Sequence, residues 1–140
     1  MRNAQRRAVA AWHPDRFEDP ARRSEAAARV AAVNEAAARL LDPLGGAQAL
    51  LELLAPVPRP TEPRPAPGFL AAMMEIREAL DGEGDPSHAH REIEALRGQA
   101  EAEARAAFGG LLSGDAGAWA PASEAVGRLR ALRRAEEGAR

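Results

Sequence analysis

Between residues 56 and 67 every second or third position is proline: 56, 58, 60, 63, 65 and 67. Proline lacks a backbone donor and its ring holds φ fixed, so neither an α-helix nor a central strand can run through such a stretch, and an extended backbone is favoured. The chain of 140 residues must therefore fold on either side of it. The spacing predicts one unit over residues 1–54, a linker over 55–67 and a second unit over 68–140. Pieces this small bury only modest cores. Hydrophobic residues make up 46% of the chain, but only 4% of residues are aromatic and there is no Tyr. Much of the apolar content is alanine, a strong helix former and a weak strand former. The expected fold class is all-α, with helix packed on helix.

Apolar spacing locates the helices. Residues 4–12 are predicted as a short helix with Ala8, Val9 and Trp12 inward and Arg2, Arg6 and Arg7 towards solvent. Pro14 ends it, because the residue before a proline is disfavoured in helical geometry. From about Pro20 or Ser24 to Leu41, the residues Ala26, Val30, Val33, Ala37 and Leu40 recur at spacings of three and four and form one stripe. Two antiparallel helices joined by the polar loop His13–Pro20 follow. Asp42-Pro43 ends the second helix, Gly45-Gly46 is expected to loosen the turn, and Ala47, Leu50, Leu51 and Leu54 predict a third short helix. Beyond the prolines, helices are predicted over 69–81, 87–112 and 119–137, the middle one started by Asp85 as cap with Pro86 in the first turn. Its stripe of Ile93, Leu96, Ala100, Ala104, Ala107 and Leu111 can pack against Trp119, Ala122, Val126, Leu129 and Leu132 of the last, giving a three-helix bundle.

Several classes of function fall away on composition. With no Cys there is no disulfide framework, thiolate metal site or cysteine nucleophile. No stretch approaches the roughly 20 apolar residues that cross a bilayer, so no membrane partner is expected, and a cytoplasmic location is the expectation. Residues 1–23 carry six Arg against three acids, and residues 68–103 nine acids against three Arg, within a net charge of -2. The two parts are thus suited to different partners. The cluster Arg128, Arg130, Arg133 and Arg134 lacks the sustained positive field that nucleic-acid binding needs. His88 and His90 near Asp85 and Glu92 read as surface residues at a helix start, so neither metal nor cofactor is assigned. Glu75 and Glu78 have no base or nucleophile near them in the sequence and read as a solvated face, so no catalytic residue is assigned.

Two features remain. The first is His13-Pro14-Asp15, an imidazole and a carboxylate in a proline-stiffened loop between two helices, just after Arg2, Arg6 and Arg7. Alone, such a tripeptide marks only a turn. The second is the helix after the prolines. Phe69, Met73, Ile76 and Leu80 form one stripe, while Leu70 and Met74 lie roughly 100° round the helix beside Ala71, Glu75 and Glu78. This is either one broad core stripe or a core face plus a second apolar surface rimmed by acids, the latter pointing to a protein partner.

Taken together, the basic helix, the His13-Pro14-Asp15 loop, the amphipathic helix after it and the closing Asn34-Glu35-Ala36 through Leu41-Asp42-Pro43 resemble a J-domain. The later segments DPLGGAQALLEL, FLAAMMEIREAL and VGRLRALRRAEE are similar to the HscB family, the J-type co-chaperones of iron-sulfur cluster assembly. The resemblance implies a J-domain over 1–54 that lacks its first helix, either because it is truncated or because Met1 is an internal start, leaving Val9, Trp12, Val30 and Val33 partly bare, and a scaffold-binding three-helix bundle over 68–140. It implies contact of His13, Pro14, Asp15, Arg2, Arg6 and Arg7 with an HscA- or DnaK-type heat-shock chaperone, whose ATP hydrolysis is stimulated. It places contacts with an IscU-type scaffold on Leu70, Ala71, Met74, Glu75, Glu78 and Ala131, the last where the family has an aromatic residue. Gly46 and Ala49 stand where the family has Arg and Tyr. The residues themselves also admit a J-domain protein serving another client, or a helical adaptor that stimulates nothing.

Overall fold

A computed structural model describes residues 2–138 of the chain. The fold is all-α: among the described residues there are six α-helices and no strand. They are α1 (Arg2–Ala11), α2 (Pro20–Leu41), α3 (Pro43–Leu53), α4 (Pro67–Glu78), α5 (Pro86–Leu112) and α6 (Trp119–Gly138). The chain divides into two compact units, one running to Ala49 and the other beginning at Leu50.

In the first unit α1 lies along α2. Gln5 Nε2 donates to Asn34 Oδ1 at 2.9 Å across the pair, and Ala26 is fully buried. Val9, Trp12, Val30 and Val33 are half-buried. Asp19 starts α2 by accepting the Arg22 N–H at 2.9 Å, with Pro20 in the first turn, the arrangement that satisfies a helix's orphan donors. At the other end Asp42 serves two helices. Its N–H donates to Ala38 O and closes α2, while its Oδ2 accepts the Gly45 N–H at 2.8 Å and opens α3.

The predicted loose turn at Gly45-Gly46 is therefore absent, and both glycines lie inside α3. The reason is close approach. A Cβ on Gly45 would stand 2.3 Å from the carbonyl oxygen of Arg39, so only glycine lets α3 start immediately after α2.

The second unit is a bundle of α4, α5 and α6 in which α5 and α6 share the longest contact. Ala100, Ala104, Ala107 and Leu111 of α5 and Trp119, Ala122, Ala125 and Val126 of α6 are buried; Leu129 is half-buried. A second cluster joins α4 to both: Phe69, Ile76, Ala79, Ala89, Ile93 and Leu132, with Met73, Leu80, Leu96 and Ala131 packed against it. Helix α4 runs into a wider turn over Ala79–Glu83, where Gly82 at φ 96° reverses the chain. Asp85 then caps α5. Arg97 pairs with Glu94 and Glu136, and Arg128 with Glu103, tying α5 to α6.

The division ahead of Leu50 places the proline run with the bundle. Leu51 is 7% exposed, and its carbonyl accepts the indole N–H of the buried Trp119 at 3.1 Å. A buried indole needs such an acceptor. The Arg59 guanidinium stands 6.0 Å over the same ring, and Pro56 and Pro63 are half-buried. The stretch from Ala55 to Ala66 has no helix or strand, but it is docked at these points.

Candidate functional sites

Each unit carries one candidate site. In the first, the loop after α1 holds a single 3-10 turn, Pro14–Arg16, with His13 as its cap in extended geometry. The Asp15 N–H donates to His13 Nδ1 at 3.4 Å, and the Asp15 carboxylate oxygen Oδ2 stands 3.5 Å from the same nitrogen. The imidazole and the carboxylate thus face one another, with side chains 51% and 87% exposed. Pro14 is half-buried.

Bonds to the backbone brace this loop from both sides. Arg16 Nη1 donates to Ala10 O at 3.0 Å, and Arg23 of α2 donates to Phe17 O at 3.2 Å and to Glu18 O. Phe17 stacks on Trp12 with ring centroids 6.1 Å apart, and the Arg29 guanidinium lies 3.9 Å from the Trp12 ring centre while pairing with Glu25. Arg29 over Trp12 is a cation–π contact. None of these braces is legible in the sequence, because a side-chain bond to a carbonyl leaves no periodic trace. The nearest signal is the aromatic pair, one on each side of the tripeptide. Arg2, Arg6 and Arg7 are all exposed on α1.

The second site is a groove of about 510 Å³ between α4 and α6. Leu70 is 50% exposed and Met74 65% exposed, so α4 presents a core face and a second apolar surface. The groove brings Leu70 and Met74 together with Ala131, 57 residues further on from Met74. Pro65, Phe69, Met73 and Ala135 complete its apolar lining, and Arg77 and Arg134 stand in its wall. Ala71, Glu75 and Glu78 are exposed on α4 but do not line the groove. Arg77 is a functional candidate that sequence reasoning misses, and Arg134 one that it weighs only for nucleic acid, although each follows a candidate residue, Met74 and Ala131, by one helical turn.

Elsewhere, His88 and His90 are exposed at the start of α5, and the His90 Nδ1 lies 2.6 Å from the Pro86 carbonyl oxygen. Among the described residues no three metal-ligating side chains converge, and no helix is long and apolar enough to cross a membrane. Compared with protein-family models, curated proteins and solved structures, the chain matches none.

Proposed function

We propose that the protein is a J-type co-chaperone of the HscB kind, acting in the cytoplasm without catalytic chemistry of its own. On this reading the first unit docks on an HscA- or DnaK-type chaperone through His13, Pro14, Asp15 and the arginines Arg2, Arg6 and Arg7, and accelerates that chaperone's ATP hydrolysis. The second unit holds an IscU-type iron-sulfur scaffold through Leu70, Ala71, Met74, Glu75, Glu78 and Ala131.

The observation that carries the reading is the braced, outward-facing His13-Asp15 pair at the tip of a helical hairpin with exposed arginines on α1. Its physical logic is that of a docking loop. A stiff turn loses little conformational freedom on binding, so the contact is made at low entropic cost. The separate apolar surface at Leu70 and Met74 supports a second partner, since half-exposed large apolar side chains grouped in a groove mark protein contacts.

The test is single-turnover ATP hydrolysis by the chaperone. Addition of the protein is expected to raise the rate, and His13→Gln to remove the increase while leaving the helical content unchanged. No stimulation at any concentration would leave an adaptor instead. For the client, binding to a purified IscU-type scaffold is expected, and to be lost on Leu70→Asp or Met74→Asp. Failure of the unaltered protein to bind would sink the scaffold assignment.

A further inference from the structure

The walls of the α4–α6 groove are not electrically neutral. Arg77 on α4 and Arg134 on α6 both line it, and both also line a smaller adjoining hollow of about 140 Å³ with Leu80, Asp81, Ala135 and Gly138. Both arginine side chains therefore border the apolar groove and the more polar hollow at once. No carboxylate lines the groove itself. Asp81 stands in the adjoining hollow, and among the described residues it is in ion-pair contact with neither arginine. Four other arginines of the bundle do have carboxylate partners: Arg91 pairs with Asp85, Arg97 with Glu94 and Glu136, Arg128 with Glu103 and Arg133 with Glu137. Arg134 uses its Nε on the Arg130 carbonyl at 3.4 Å, which leaves both Nη groups for a further acceptor.

A planar guanidinium beside apolar surface reads a carboxylate by two parallel hydrogen bonds, and two such groups discriminate strongly against a cation. We infer that this groove takes a segment of a protein partner that presents a large apolar side chain to Leu70, Met74 and Ala131 and a carboxylate to Arg77 and Arg134. The inference rests on the scaffold-binding reading and adds the charge that the bound segment carries. The acids Glu75 and Glu78 are exposed on α4 and do not line the groove.

Calorimetric titration of an IscU-type scaffold into the full chain, at low and at high salt, tests it. Arg77→Glu with Arg134→Glu is expected to weaken binding about tenfold and to flatten its salt dependence, because the lost contact is ionic. Arg77→Lys with Arg134→Lys is expected to keep much of the salt dependence while losing affinity through the lost fork geometry. Both arginines are exposed, and unchanged melting of the variants confirms that the fold is retained. If the unaltered chain binds and Leu70→Asp abolishes binding, yet the double Glu variant binds as tightly with the same salt dependence, the inference fails and the scaffold reading stands. If the unaltered chain does not bind, both fail.

Discussion

Trp119 shows how much can depend on one side chain. It is 1% exposed, it fills the start of the α5–α6 contact, and its indole N–H holds the Leu51 carbonyl. Trp119→Phe keeps an aromatic ring but removes the donor and leaves a buried carbonyl unpaired. The expected loss is about 1–3 kcal/mol, read as a lower urea midpoint for the bundle's unfolding. The half-buried Arg128 is another residue of this kind. Its Nε is buried with no partner although its guanidinium pairs with Glu103, so part of its desolvation is uncompensated. At Arg97 the ordinary guanidinium value is raised, chiefly by the hydrogen bond to Glu136 and against the opposing effect of burial. Because the folded value lies above the unfolded one, the stability linked to the Arg97 proton is lost only as pH rises above the usual arginine range. The Arg97 proton therefore gives the protein no pH sensitivity near neutrality.

Among the helices, two glycines make opposite predictions from the same propensity argument. Glycine inside a helix costs about 0.5–1 kcal/mol relative to alanine. Gly98 lies on the exposed face of α5, where an added methyl would meet nothing within 4 Å, so Gly98→Ala is expected to stabilise the bundle by about that amount. Gly45 lies in α3, where the same methyl would meet the Arg39 carbonyl oxygen at 2.3 Å. Gly45→Ala is expected to destabilise the α2–α3 junction by at least about 1 kcal/mol, since backbone must move to admit the methyl. Thermal melts of the two variants followed by circular dichroism distinguish the cases by sign.

At the scale of the whole chain, the division ahead of Leu50 makes the proline run an appendage of the bundle. A fragment over residues 50–140 retains Leu51 and Arg59 against Trp119, whereas one over 68–140 leaves that indole without its acceptor and uncovers its ring. The longer fragment is therefore expected to melt higher by several degrees, as about 1–2 kcal/mol corresponds to such a shift in a domain of this size. Equal melting temperatures would mean that the contacts at Trp119 contribute nothing to the bundle's stability.

The features legible along the chain are local ones. Asp19-Pro20 and Asp85-Pro86 mark helix starts, apolar recurrence at three and four marks the buried face of α5 and α6, and five prolines keep residues 55–66 out of any helix while the sixth, Pro67, opens α4. These follow from chain geometry and near-neighbour hydrogen bonds, which a string of residues records directly. His13-Pro14-Asp15 is legible as a loop for the same reason, whereas local spacing leaves Leu70 and Met74 open between a broad core stripe and a second surface of α4, and only their exposure in the fold decides for the latter. Packing in three dimensions sets the rest. It places Leu51 against Trp119, puts Gly45 inside α3 rather than in a turn, braces the His13 loop with Arg16 and Arg23, and gathers Leu70, Met74, Arg77, Ala131 and Arg134 round one groove. Such groupings depend on how helices far apart in the chain come to lie together. That is set by the packing of whole faces, and no local spacing encodes it.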